Sequence, residues 1–174
     1  MEENFEKEYE EEKPSILRKI FIGIIILFLL VLIVSYFLFN GVSSIVEGLI
    51  GSDEIEGNII HFSGKKIKFE NNTYNNLLNI YNKNKGKEFK ACLKGKYNNK
   101  TYYIKSLYIP KTYEQRYDKV VSESCYDSII SLHSHPRMFC IPSEQDFESF
   151  SLYEKENMLM VVMCKEDRFT IYPK

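Results

Sequence analysis

The chain has 174 residues, a formal net charge of −1, and a composition that is 44% hydrophobic and 14% aromatic. That length fits one globular domain plus extras. The near-zero charge leaves no general basic field to draw in nucleic acid, so that class of partner is excluded.

Residues 1–16 are dominated by Glu and Lys and carry too little apolar surface to offset the entropy of ordering. A flexible acidic tail is expected there. From Ile20 to Phe39 twenty residues run without a charge, as IFIGIIILFLLVLIVSYFLF. At about 1.5 Å per residue they span about 30 Å, the thickness of a bilayer core. The run has no polar face, and it exceeds the roughly 7–15 apolar residues of a secretory signal. One uncleaved transmembrane helix over 17–39 is therefore expected. Lys13, Arg18 and Lys19 precede it, and the next basic residue is Lys65. This bias places the N-terminus in the cytoplasm and the C-terminal domain outside. Residues 40–64 mix Gly, Ser and acidic residues with Ile and Val, and read as a linker or stalk.

The soluble domain is expected over 65–174. Lys66–Glu70 alternates as a strand, Asn71-Asn72 marks a turn, and Thr73 is an N-cap candidate for a helix carrying Leu77, Leu78 and Ile80. Glu88–Leu93 and Thr101–Ile109 flank a turn at Tyr97–Lys100 and pair as a hairpin. Asp127–His133 is a further strand and Ser143–Glu154 a helix. Met158–Cys164 and Arg168–Tyr172 close the domain as two strands. Irregularly alternating strands and helices imply an α+β domain, a mixed sheet with helices packed on it. Cys92, Cys125, Cys140 and Cys164 form no C-x-x-C pair, so zinc-ribbon and thioredoxin readings fail. Buried free thiols are the default expectation, with one or two disulfides if the domain lies outside the cytoplasm.

His133 and His135 stand two apart at a strand end, so their imidazoles share a face. Pro136 then takes the chain out of the strand, because it has no N–H to donate. Pro142 and Ser143 open the following helix, and Asp146 lies one turn into it. Two nitrogens and one oxygen thus meet at one point with a fourth position open, the pattern of catalytic rather than structural zinc. Taken alone, Ser143-x-x-Asp146 is a capping-box sequence, and a lone H-x-H is easily accidental. A closed site using Cys140 and Cys164 with the histidines leaves Asp146 without a role.

His133-Ser134-His135-Pro136, six residues, then Ser143-x-x-Asp146 resembles the JAMM motif of the MPN+ metalloproteases, with matching spacing throughout. The resemblance covers roughly Lys65 to Lys174. It implies an MPN fold, cytidine deaminase-like, with a mixed sheet flanked by helices. It also implies one Zn2+ per chain, held by His133, His135 and Asp146. Ser143 would donate a hydrogen bond to the tetrahedral intermediate. Glu88, opening the family-like segment Glu88–Gly95, would be the general base. The implied reaction is hydrolysis of an isopeptide or peptide bond at the C-terminus of a ubiquitin-like protein or its conjugate. Too little chain follows Asp146 for the insertion with which eukaryotic deubiquitinases grip ubiquitin. Two other readings are a membrane-tethered, non-catalytic MPN scaffold and an extracytoplasmic peptidase acting on an unrelated protein or cell-envelope amide.

Overall fold

The computed structural model describes residues 15–174, so all but the last two residues of the expected acidic tail lie outside it. The chain divides into two compact units, Met1–Gly41 and Val42–Lys174. Helix α1 (Ile16–Gly51) belongs in part to each. Its Ile16–Leu38 stretch, of mean hydropathy 3.1, is the one helix among the described residues long and apolar enough to cross a membrane. Every side chain of that stretch is exposed, so the surrounding protein offers its apolar surface no cover.

Residues 40–64 are not a linker. After α1 come β1 (Asp53–Glu56) and β2 (Ile59–Phe62), which bury Ile55, Ile60 and Phe62 in the main core. The folded unit therefore begins at Val42 and not at Lys65. Strand β3 (Lys65–Phe69) and α2 (Thr73–Lys83) follow, with Asn72 rather than Thr73 at the N-cap. Strands β4 (Lys90–Asn98) and β5 (Thr101–Tyr108) form the expected antiparallel hairpin. Asn99 and Lys100, both at positive φ, make its two-residue turn. Gly95 sits at a bulge in β4 where any Cβ would lie 1.9 Å from the Tyr103 carbonyl oxygen, so no other residue fits. A separate hairpin, β6 (Thr112–Gln115) and β7 (Val120–Ser122), precedes β8 (Ile130–Ser134). Then come a 3-10 turn (Pro136–Met138), α3 (Glu144–Ser151), β9 (Leu159–Lys165) and β10 (Arg168–Pro173).

The expected MPN-type α+β fold, a sheet flanked by helices, is overturned. Eight strands close into a barrel in the order β1-β10-β9-β8-β4-β5-β3-β2. The β8–β9 and β3–β5 pairs are parallel and the rest antiparallel. The physical reason lies in the supply of covering surface. α2 and α3 have only 11 and 8 residues, too few to cover both faces of an eight-stranded sheet. Curling the sheet buries one face against itself and removes its open edges. The seam is short: Asp53 pairs with Phe169 and Glu54 with Arg168, and the Arg168 guanidinium donates to the Glu54 carboxylate at 2.9 Å.

Alternate residues of β8 and β9 serve two cores. Ile130, Leu132, Leu159, Val161 and Met163 fill the barrel with Ile67, Leu93, Ile104 and Phe169. Met158 and Met160 face outward, against Phe150, Tyr153, Cys92 and Cys125. Helix α3 thus covers the outside of the β4–β8–β9 wall. The free-thiol expectation is corrected as well. Cys92 bonds to Cys125 and Cys140 to Cys164, which leaves no free cysteine.

Candidate metal centre

His133 ends the wall on which α3 lies, and its register partners are Lys90 in β4 and Val162 in β9. Pro136 forces the backbone out of β8 into the 3-10 turn, and His135 just precedes that turn. The His135 N–H still donates to Met163 O at 3.0 Å, so this residue stays tied to β9. The two imidazole centroids lie 4.9 Å apart on the outer face of the barrel.

Asp146 arrives from the first turn of α3, where Ser143 forms a capping box. The Ser143 N–H and hydroxyl each donate to Asp146 Oδ2 at 2.7 Å. The local signal for a helix start and the placement of a ligand are therefore the same set of bonds. The loop between His135 and Ser143 is pinned by the Cys140–Cys164 disulfide to β9. Gly48 packs against Cys140, where a Cβ would come within 3.0 Å of the Cys140 nitrogen.

The ligand atoms of His133, His135 and Asp146 all lie within 4.8 Å of one another, so this group could hold a metal ion. It is the one such group among the described residues. His133 Nε2 is buried and has no hydrogen-bond partner; Asp146 Oδ2 lies 3.3 Å away but is not aligned to accept. An orphaned buried nitrogen costs on the order of 1–3 kcal/mol. A cation at this point would satisfy it. His135 Nδ1 donates to Phe139 O at 3.1 Å, which fixes the tautomer and leaves Nε2 to face Asp146 Oδ2 at 3.5 Å. The donor set of two imidazole nitrogens and one carboxylate thus fits a transition-metal site.

Glu88 lies just before β4 rather than in it. Its Oε1 is 3.6 Å from His135 Nε2. Two contacts place it. The Glu88 N–H donates to Arg116 O at 2.8 Å, in the tip of the β6–β7 hairpin. Ser134, between the histidines, is bonded twice to Phe89: its hydroxyl accepts from Phe89 N–H at 3.0 Å, and its own N–H donates to Phe89 O at 2.9 Å. Burial pushes the Glu88 carboxyl up to about 7, His135 opposes this, and Asp146 and Asp118 add to it. Burial also pulls Asp146 upward, but His133, His135 and the Ser143 hydroxyl outweigh it and hold that carboxyl well below the usual range. Burial keeps His133 neutral by lowering its pKa. At His135 burial is outweighed by Asp146 and Glu88, and the pKa rises.

All five expected site residues thus converge. Sequence reasoning missed Ser134, which joins the histidine strand to Glu88, and Tyr117 and Asp118, which reach the site from a hairpin read only as irregular chain. A cleft of about 330 Å³ opens beside the group, lined by Glu88, His135 and Ser143 on one side and by Tyr117, Phe139 and Ile141 on the other. A larger polar cavity of about 530 Å³ at the start of α2 shares none of these residues. No protein-family model matches the sequence, and no curated protein matches it either. The site is thus a three-residue group able to hold a metal ion, with a carboxyl titrating near neutrality beside it, on the outer wall of a closed barrel.

Proposed function

We propose that this chain is a membrane-anchored, zinc-dependent hydrolase of amide bonds, with its catalytic domain outside the cytoplasm. The observation that carries the reading is the orphaned, buried His133 Nε2 facing Asp146, with His135 and the Glu88 carboxyl beside it. His133, His135 and Asp146 would hold the zinc, one per chain. The metal when bound would supply Lewis acidity and bring a water into reach of deprotonation near pH 7.

The chain's own residues account for the rest. Glu88 has the pKa of a general base working at neutrality, and it would take a proton and return it to the leaving amine. Ser143 holds Asp146 through two hydrogen bonds. Its edge on the cleft also puts its hydroxyl beside a bound carbonyl, where it could donate to developing negative charge. The H-x-H-P…S-x-x-D resemblance to JAMM proteases supports the same assignment, although the barrel is not the fold that resemblance implied. A non-catalytic scaffold gives Glu88 no reason to lie buried against His135.

Two disulfides favour an oxidising compartment. They agree with the Lys and Arg bias before α1. Both weigh toward an extracytoplasmic protein or cell-envelope amide as substrate, and against a ubiquitin-like conjugate in the cytoplasm. The test uses the full chain purified in detergent micelles. One zinc per chain by elemental analysis, peptide hydrolysis, and loss of hydrolysis with zinc retained in Glu88→Gln are expected. A chain that takes up no zinc, or a Glu88→Gln variant with undiminished hydrolysis, refutes the reading.

A further inference from the structure

The cleft beside the metal group has a chemical character of its own. Its far wall is apolar: Phe139 and Ile141 from the disulfide-pinned loop, Pro136, and the Tyr117 ring from the hairpin tip. Phe139 and Ile141 are 37% and 41% exposed, unusual for large apolar side chains held in place by a nearby disulfide. The near wall is Glu88, His135 and Ser143. Whatever fills the cleft therefore lies directly against the proposed reacting bond. Two charged carboxyl-bearing residues, Glu88 and Asp118, line it, and no Lys appears among the lining residues.

Resting on the hydrolase reading, we propose that this cleft is a specificity pocket for one large apolar side chain adjacent to the scissile amide. About 330 Å³ is room for on the order of ten waters at ~30 Å³ each, enough for a leucine-, isoleucine- or phenylalanine-sized group and its backbone. It does not admit a folded partner. A glycine at that position leaves the apolar wall wet, and an acidic residue meets Glu88 and Asp118. The substrate class is thus a peptide with an aliphatic or aromatic residue beside the cleaved bond. Phe139 and Ile141 are the specificity-determining residues.

Two measurements on the full chain in micelles test this. The first is an internally quenched peptide library digested by the zinc-loaded protein. Leucine, isoleucine or phenylalanine at one flanking position should be favoured about tenfold over glycine, as burial of such a side chain implies. The preference should collapse in Ile141→Asp with zinc content unchanged. Cleavage without preference at a flanking position, or an unchanged preference in Ile141→Asp, overturns the proposal. The second does not depend on hydrolysis: methyl NMR of Ile141, titrated with N-acetylleucinamide and N-acetylglycinamide. A shift with the leucine compound alone supports the pocket even if no peptide is cleaved and the hydrolase reading falls. Equal responses, or none to either compound, overturn the pocket even in an active enzyme.

Discussion

Replacing His133 by leucine should separate stability from metal binding. In the wild-type chain the imidazole is 7% exposed and its Nε2 has no hydrogen-bond partner. Desolvating such an atom costs roughly 1–3 kcal/mol. Leucine has a similar volume, removes the orphaned nitrogen, and packs on a wall that already holds Met160 and Phe150 nearby. The Asp146 carboxylate keeps its two bonds to Ser143 and its 3.5 Å contact with His135 Nε2, so no charge is left without a partner. With a chelator present, His133→Leu should therefore unfold about 1–3 kcal/mol harder than wild type, a rise of roughly 3–5 °C per kcal/mol for a domain of this size. Zinc at a hundred times its Kd should stabilise wild type by about 2.7 kcal/mol and leave the variant unmoved. Thermal unfolding of both proteins with chelator and with zinc reads all four numbers. A variant less stable than wild type in chelator, or one stabilised by zinc to the same degree, would refute the assignment of Nε2 as an atom kept for a metal.

Truncation to residues 65–174 removes β1 and β2 and with them the burial of Ile55, Ile60 and Phe62, worth about 1.5–3 kcal/mol each. That loss rivals the whole stability of a domain, so 65–174 should unfold without cooperativity while 42–174 melts as one unit; circular dichroism against urea distinguishes them. Replacing Cys140 and Cys164 together by serine frees a loop with a separation of 24 residues, a loss of about 3.5 kcal/mol in the chain-entropy account, and should also weaken zinc binding because the loop between His135 and Ser143 loses its tether. Zinc affinity should fall as pH drops below about 7: His135 titrates above its ordinary 6.5, its proton competes with the metal, and Asp146 stays ionised, so one proton per zinc gives about a tenfold loss per pH unit, measurable by competition with a chromophoric chelator. Ser134→Ala should retain zinc yet lower the turnover rate, because Phe89 loses its hydroxyl partner and Glu88 its fixed distance to His135; an unchanged rate would show that Ser134 does not position the base.

The metal group was legible because each of its residues obeys a local rule. Alternation puts His133 and His135 on one face, proline ends the strand, and the capping box sets Asp146. Glu88 was found from the composition of the segment that follows it, but its route to the site was not: it runs through Ser134 and Phe89, across two strands far apart in sequence. Barrel closure was hidden for a different reason. DEIE and IIHF are four residues each, too short for a period to show, and β1 meets β10 in only two register pairs. Burial of the cysteines was readable from their type, whereas pairing was not, since four cysteines allow three connectivities. The hairpin tip that brings Tyr117 and Asp118 to the cleft carries no periodic signal of its own.

The seam between β1 and β10 also sets an order of events. Asp53 and Glu54 must wait for Phe169 and Arg168, more than a hundred residues downstream, before the ring can close. Such long-range pairing is slow, because the loop entropy is lost before the contacts form. His135 is held by Met163 of β9, so the ligand group, too, stays unformed until nearly the whole domain has been synthesised. A nascent chain tethered by α1 would carry its histidines and Glu88 apart from one another, and the site would assemble only when the last two strands dock. Late closure would thereby keep an unfinished protein from acting on its neighbours during synthesis.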